Sequence, residues 1–181
     1  MTEFLMTDKI QIFKSAMTWL ANQDRTIFLG QNVCYPYSQL FPTFADVPQE
    51  KKIEMPVAEE LQMGITLGLS LEGYIPISVY PRIDFVVLAL NQLINHIDKL
   101  PDMSSGMLNP GLIVRTQIGH KKPLNAGFQH TQDHTEAFSL MLNNVKVYKL
   151  TSLDNVMSTY QMVYEEAKKG RASVVIEDIQ Q

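Results

Sequence analysis

The chain has few of the features that mark secreted, membrane-spanning or nucleic-acid-binding proteins. Its 181 residues include one cysteine, Cys34, which cannot form an internal disulfide, and this favours a reducing compartment. No apolar run approaches the roughly 20 residues that cross a bilayer, and the stretch 1–6 lacks the regions of a signal peptide. Acidic residues outnumber basic ones, 19 to 15, so no basic surface for nucleic acid is expected. We therefore expect a cytoplasmic protein that binds neither membranes nor nucleic acid.

The composition is typical of one globular domain that spans residues 1–181. Hydrophobic residues make up 45% of the chain, which is enough to bury a sizeable core at this length. No internal repeat, low-complexity segment or long linker divides the sequence. An N-terminal helical segment over residues 1–17 is expected to precede the rest of the domain, with Thr7 as a possible helix cap.

Strand and helix patterns alternate along the chain. Five short runs rich in valine and isoleucine predict buried strands at Thr26–Gly30, Ile75–Val79, Gly111–Arg115, Val145–Tyr148 and Ala172–Glu177. Helices are predicted over Pro56–Gly73, Ile83–Leu100, Thr131–Leu142 and from about Asp154 to Gly170, with Pro101 ending the second of them. This alternation predicts an α/β fold, a three-layer parallel-sheet domain with helices on both faces.

Candidate site residues lie in the loops that follow the strands, where chemistry gathers in such folds. Glu59 stands in the first turn of a helix that has no ionisable side chain over 61–71, so the helix is expected to be buried. The other loops carry Tyr80, Arg82 and Phe85 after one strand and Gln129–Gln132 after another. An acid, an aromatic ring and a histidine on adjacent loops could surround a small aromatic ligand.

Several short motifs carry a resemblance to a known family because they occur in the family's order. They are Phe28–Val33, Met55–Glu59, Gly64 with Leu67, Gly68 and Gly73, Asn91–Asn95, Met103–Gly106, and Gln129–Gln132. Over about residues 18–178, the chain resembles the pyrimidine-binding domain of thiamine diphosphate-dependent enzymes. The similarity is greatest to the amino-terminal half of 2-oxoacid dehydrogenase E1 beta subunits, with transketolase further away. One difference lies in the first motif, where Gln31 and Asn32 stand in place of a glutamate and an aspartate.

The resemblance implies a chemical role for Glu59. This residue matches the family glutamate that hydrogen-bonds to N1′ of the aminopyrimidine, which stabilises the imino tautomer and lets the 4′ nitrogen take the proton from C2 of the thiazolium. To donate that bond the carboxyl must carry a proton, and burial in apolar surroundings favours the neutral form of an acid. The alternative is that Glu59 only interacts favourably with the helix dipole. The adjacent Glu60 is expected to face solvent.

Other positions match the family with less specific signals. Phe85 matches the aromatic residue that stacks on the pyrimidine ring, although it could equally be a core residue. His130 matches the histidine at the mouth of the active site, where it contacts substrate or cofactor phosphate and can move a proton; a surface or capping histidine is the alternative. Positive charge at Arg82, His120 and Lys121 would suit a small anionic substrate such as a 2-oxoacid or a sugar phosphate, unless these are ordinary solvated side chains.

The resemblance also implies a cofactor and a partner. Thiamine diphosphate in this family is held with Mg²⁺ through a glycine-aspartate-glycine motif of a second domain type, and no such motif occurs in this sequence. The carboxy-terminal domain of E1 beta chains is also missing from the 181 residues. We therefore expect the pyrimidine-domain subunit of a split enzyme that is inactive alone, with no metal site of its own. A diphosphate-binding subunit would hold Mg²⁺, in a heterotetramer that decarboxylates a 2-oxoacid or transfers a ketol unit.

Two alternatives from other classes remain open at this point. The chain could be a non-catalytic interaction domain of the same fold that keeps a partner subunit in solution or regulates it. The other alternative is a metal-binding α/β protein: His130 and His134 are four residues apart on a predicted helix, although no third ligand is evident.

Overall fold

The computed structural model describes residues 2–36, 38, 40–121 and 125–179, with side chains from residue 8 onward. Within these ranges the chain forms one six-stranded sheet. The strands are β1 (Thr26–Gly30), β2 (Lys52–Glu54), β3 (Ile75–Val79), β4 (Ile113–Gln117), β5 (Lys146–Leu150) and β6 (Ser173–Glu177). They lie in the order β2-β1-β3-β4-β6-β5, and every neighbouring pair is parallel. All carboxyl ends therefore meet at one edge of the sheet.

Helices cover both faces of the sheet. They are α1 (Thr2–Ala21), α2 (Glu59–Leu71), α3 (Ile83–Val86), α4 (Leu100–Met103), α5 (Thr135–Met141) and α6 (Val156–Lys168). A 3₁₀ turn at Val87–Ala89 and a π-helix at Asn91–Ile97 connect α3 to α4. Helices α1 and α6 form one outer layer, and the elements from α2 to α5 form the other. The predicted three-layer α/β fold is confirmed.

The core is divided by the sheet into two hydrophobic clusters. Phe13, Met17 and Leu20 of α1 lie with Val163 of α6 in the first cluster, all fully buried or nearly so. The second contains residues of the opposite layer, among them Met63, Val86, Leu93 and Phe138. Strands β3 and β6 are buried along their whole length, as expected for central strands of a parallel sheet that is covered on both faces. These clusters hold the carboxyl edge of the sheet in a fixed geometry.

Some predicted boundaries were wrong. Strand β2 was not predicted, because it is a three-residue edge strand with two charged side chains, Lys52 and Glu54. Helix α1 begins at Thr2 rather than after Thr7, and α2 begins at Glu59 rather than Pro56. The later start of α2 has a visible cause, since the Met55 N–H still donates to the Gly30 carbonyl at 2.9 Å and so continues the sheet pairing.

The helix predicted over Ile83–Leu100 is not one regular helix. In its π-helical part the Asp98 N–H donates to the carbonyl of Leu93, five residues earlier, at 3.0 Å. Pro101 does not end the segment as predicted, because it lies in the first turn of α4, where a missing N–H costs nothing. Similarly, α5 begins at Thr135 rather than Thr131, because the Asp133 carboxylate accepts the Thr135 N–H at 2.9 Å. None of the described helices combines the length and the apolar character that a bilayer span requires.

Candidate active site

Glu59 is buried at the carboxyl edge of the sheet, with 7% of its surface exposed. It is the first residue of α2 and touches the residues that directly follow two neighbouring strands. The Gln31 amide Nε2 after β1 donates to Glu59 Oε1 at 3.3 Å, and the Tyr80 hydroxyl after β3 donates to the Glu59 backbone carbonyl at 3.0 Å. The neighbouring Glu60 is exposed, as predicted.

A buried polar network fixes the start of α2 on β3. The Gln62 amide donates to the Ser78 hydroxyl at 3.1 Å and to the Val79 carbonyl at 3.0 Å. The Thr66 hydroxyl, one turn later, contacts the same Ser78 hydroxyl at 2.9 Å. Burial raises the pKa of Tyr80 well above its usual value, so this hydroxyl stays a donor to Glu59. The backbone that carries Glu59 is therefore held by side chains that do not titrate near neutral pH.

The loop after β1 is also fixed, and it carries Gln31. A Cβ at Gly30 would overlap the carbonyl oxygen of Val79, so only glycine allows β1 and β3 to end this close together. The Glu54 carboxylate then accepts the N–H groups of Asn32 at 2.7 Å and Cys34 at 2.8 Å. Gln31 therefore leaves the strand in a defined direction, toward Glu59.

Phe85 and His130 form a second group of candidate residues. Their ring centroids lie 5.5 Å apart with an interplanar angle of 72°. Phe85 is in α3, and His130 ends a short 3₁₀ helix at Phe128–His130. The Nδ1 atom of His130 is buried and has no hydrogen-bond partner among the described residues. Asp84 ties this segment to α3, because its carboxylate accepts the Gln132 side-chain amide at 2.9 Å.

Arg82 lies beside the His130 segment. A Cβ at Gly119 would overlap both the His130 carbonyl oxygen and the Arg82 guanidinium, so three loops converge at this glycine. Gly119 itself was not singled out from the sequence, although its place shortly after β4 was a usable signal. The structure thus brings Arg82, Phe85 and His130 into one neighbourhood.

His120 and Lys121 follow β4, and His120 contacts a residue that follows β6. His120 Nε2 is 3.7 Å from the Asp178 carboxylate, which also pairs with Lys149 at 2.8 Å. Burial lowers the pKa of His120, while Asp178 acts in the opposite direction and the Arg82 charge lowers the pKa further. Lys121 is exposed. Two further residues of the predicted basic loop, Lys122 and Pro123, lie outside the described residues.

The structure gives no support to a metal centre at His130 and His134. The His134 ring stacks on Phe138, with centroids 6.2 Å apart and an interplanar angle of 16°. Within the described part of the chain, no three side chains of histidine, cysteine, aspartate or glutamate gather closely enough to hold a metal ion.

Sequence reasoning named Tyr80 among the loop residues without giving it a role toward Glu59, and it missed Gln31 and Asp84 as residues that hold Glu59 and the His130 segment. Gln31 and Tyr80 each follow directly after a buried strand, and this position at the carboxyl edge was the available signal. Asp84 gave no such signal, since an acid in a first helical turn is common.

The chain is similar in sequence to two E1 beta subunits and in fold to one solved structure. The chain is 26% identical over 151 residues to a pyruvate dehydrogenase E1 component subunit beta from Gracilaria tenuistipitata var. liui, covering 81% of this chain and 45% of that protein. The same subunit from Mesostigma viride is 24% identical over 116 residues, covering 62% of this chain and 35% of that protein. No protein-family model matches the chain.

A solved structure described as a split gene transketolase, inactive beta4 tetramer, has the same fold. It aligns with a TM-score of 0.67 and 17% identity, covering 93% of this chain and 50% of that one. The chain thus spans half or less of the length of these relatives. Together, these findings confirm that the chain resembles the pyrimidine-binding domain of transketolase and E1 beta subunits and has the thiamine diphosphate-binding fold.

Proposed function

We propose that the chain is the pyrimidine-domain subunit of a split thiamine diphosphate-dependent enzyme. The observation that carries this proposal is the placement of Glu59, a buried acid at the carboxyl edge of a parallel sheet with one carboxyl oxygen bound by Gln31. Burying an acid with few partners costs free energy, and such an acid is typical of a site where it serves chemistry. The E1 beta relatives support a role in a thiamine diphosphate enzyme of this kind.

The residues present fit the aminopyrimidine part of the cofactor. Among the described side chains, Gln31 is the one donor to the Glu59 carboxyl, so Oε2 remains available to a heterocycle nitrogen. Phe85 is half-buried beside His130 and would supply an aromatic face, and His130 would stand at the mouth of the site. When bound, thiamine diphosphate supplies a carbanion-like centre that serves 2-oxoacid decarboxylation or ketol transfer. Glu59 would hold the proton that activates it.

A partner subunit is needed for the diphosphate end of the cofactor. The sequence has no glycine-aspartate-glycine motif, and its described residues form no cluster of metal ligands. We propose that a diphosphate-binding subunit holds Mg²⁺ and completes a heterotetramer, and that this chain is inactive alone. The transketolase structure of the same fold, described as an inactive tetramer of beta chains, is consistent with that requirement.

A largely apolar surface next to Glu59 supports the same proposal; its exposed charge is Glu60, whose carboxylate accepts the Asn91 side-chain amide at 3.2 Å. The segments 61–71 and 85–97 contain no aspartate, glutamate, lysine or arginine, and they pack side by side in one layer. Large apolar side chains are exposed there at Val57 (80%), Leu61 (54%) and Leu88 (62%). Exposed apolar surface beside a site is typical of a protein interface. We propose that the diphosphate-binding subunit docks on this surface and so closes the site over Glu59.

The proposed substrate class rests on the positive charge of nearby side chains. Arg82 lies beside His130, and its charge also reaches His120. Together with exposed Lys121, these groups favour a small anion, either a 2-oxoacid or a sugar phosphate.

We propose a single domain over residues 1–181 that works in the cytoplasm, where the thiol of Cys34 stays reduced.

The experiment starts from tagged full-length chain recovered from its native cells with the proteins bound to it. We expect a diphosphate-domain protein to co-purify, and the pair to bind thiamine diphosphate with Mg²⁺ by calorimetry while neither chain does so tightly alone. The rate at which the cofactor's C2 hydrogen exchanges in D₂O should fall about a hundredfold or more in Glu59→Gln, as expected for loss of a general acid–base group.

Glu72→Gln is the control, because this acid is exposed at the opposite end of α2, and we expect an unchanged exchange rate. If the pair forms but Glu59→Gln exchanges as fast as the unmodified chain, the non-catalytic interaction domain is the correct function. Stoichiometric zinc in the purified chain would instead favour the metal-binding alternative.

A further inference from the structure

Gln31 is the side chain that decides how the Glu59 carboxyl is oriented. Its Nε2 lies 3.3 Å from Oε1, which is long for a hydrogen bond but common in sites without their ligand. The backbone of Glu59 is held by Tyr80, but the carboxyl group has three rotatable bonds beyond that backbone. The contact with Gln31 is therefore what selects one rotamer of the carboxyl.

The position of Gln31 is itself determined by the strands. Its backbone follows the close approach of Gly30 to Val79, and the Glu54 carboxylate holds the next turn through the N–H groups of Asn32 and Cys34. None of these groups belongs to the proposed cofactor contacts. A positioning residue needs this kind of support from its own neighbours.

The chemistry of an amide adds a second property. An amide N–H donates without carrying charge and at any pH, whereas a carboxylate in the same place would be an acceptor and would repel an ionised neighbour. The amide therefore occupies one oxygen of the Glu59 carboxyl, Oε1. The other oxygen, Oε2, has no donor among the described residues.

We propose that Gln31 is a positioning residue that binds Oε1 of Glu59 and thereby directs the other oxygen, Oε2, toward the pyrimidine ring of the cofactor. This inference rests on the proposed function and adds to it a residue outside the predicted site. It predicts that loss of the amide changes the direction of the Glu59 carboxyl and the rate of cofactor activation, but not the affinity for the cofactor, since the diphosphate end is held elsewhere.

Two variants test the proposal: Gln31→Met removes the amide at similar length, and Gln31→Asn keeps the amide but makes the side chain one carbon shorter. In crystal structures of either variant we expect the Glu59 carboxyl to rotate away from its present direction. In the complex with the co-purified partner, C2 hydrogen exchange of bound thiamine diphosphate should slow about tenfold, the size expected for one hydrogen bond to a carboxyl group. The dissociation constant for thiamine diphosphate should stay within twofold.

Gln161→Leu is the control, because this glutamine is exposed on α6 in the opposite layer. An unmoved Glu59 together with an unchanged exchange rate in both Gln31 variants would overturn the inference. If those variants exchange normally while Glu59→Gln does not, only the role of Gln31 is wrong. If Glu59→Gln exchanges normally, the proposed function fails as well.

Discussion

Two buried glutamates at the same edge of the sheet have opposite surroundings. Glu177, at the end of β6, binds the Arg115 guanidinium at 2.7 and 3.4 Å and accepts the Tyr160 hydroxyl at 2.7 Å. Glu59, at the start of α2, has one described donor, the Gln31 amide at 3.3 Å. A buried acid whose oxygens are fully bound is part of the framework, whereas one with an oxygen to spare can act on a ligand.

The Glu177 region shows how much is needed to bury a charge. Arg115 is fully buried, lies between the rings of Phe13 and Phe44, and also donates to the Thr43 hydroxyl at 2.9 Å. Burial alone would lower the pKa of Arg115, but the Glu177 carboxylate raises it above its usual value. These contacts join β4 and β6 to α1. The Glu177 carboxylate therefore has more bound partners than the Glu59 carboxyl.

Asp98 is a third buried carboxylate and, like Glu177, has both of its oxygens bound by neighbouring groups. Its Oδ1 accepts the backbone N–H groups of Asn143, Asn144 and Val145 at 2.7 to 2.9 Å, and its Oδ2 pairs with Lys99 at 2.6 Å. Burial would raise the pKa of Asp98, but the bonds from Lys99 and the backbone lower it below its usual value. Asp98 fixes the turn that leads into β5.

Among the changes that test this comparison, removal of Arg115 should have the largest effect on stability. Arg115→Met leaves Glu177 buried without its cation, and we expect the free energy of unfolding to fall by about 3–5 kcal/mol in urea titrations. Replacing both residues, Arg115→Met with Glu177→Leu, should recover most of that loss. As a control, Arg171→Met on the surface should change stability by less than about 0.5 kcal/mol. A loss below about 1 kcal/mol for Arg115→Met would contradict a structural role for the pair.

Asp98→Asn should have a smaller effect that depends on pH. Because the pKa of Asp98 is lowered in the folded state, its stabilisation is complete above the unfolded value of about 3.9 and is lost as the pH falls below it. At pH 7 we expect the variant to lose about 1–3 kcal/mol of unfolding free energy. Urea titrations at pH 7 and pH 3 should show a smaller difference between the variant and the unmodified chain at the lower pH. An equal difference at both values would exclude this carboxylate as the cause.

Glu59→Gln should have the smallest effect on stability and the largest on cofactor activation. Its carboxyl has a single weak partner, so a neutral amide of the same shape should change the unfolding free energy by less than about 1 kcal/mol. Urea titration of the isolated chain measures this without any partner. A loss comparable to that of Arg115→Met would show that Glu59 is a structural acid, and the distinction between the two glutamates would disappear.

Most of the sheet was predictable from the sequence because its central strands contain short runs of buried apolar residues. Thr26–Gly30 and Ile75–Val79 were predicted with the bounds that the structure has. Strand β2 was not predicted, since Lys52 and Glu54 are charged residues at the sheet edge. Its strand conformation depends on pairing with β1. The break at 87–97 was not predicted either, because segments of three and seven residues are too short for apolar spacing to distinguish 3₁₀, α and π turns.

The site was predictable only where a single residue type carries the signal. Glu59 stood out as the acid before an uncharged helix, and the structure buries it as expected. The resemblance assigned Phe85 and His130 separately to the site; the structure brings their rings together, and their roles toward a cofactor stay predictions. Gln31 was not predicted, since its importance comes from a contact 28 residues away along the chain.

Because Cys34 is the chain's one thiol and follows Gln31 by three residues, the molecule carries a built-in attachment point for a spectroscopic label. Its backbone is anchored by Glu54, and its side chain is half-buried. A nitroxide or fluorophore there would sense whatever approaches the carboxyl edge, with no cysteine to remove first.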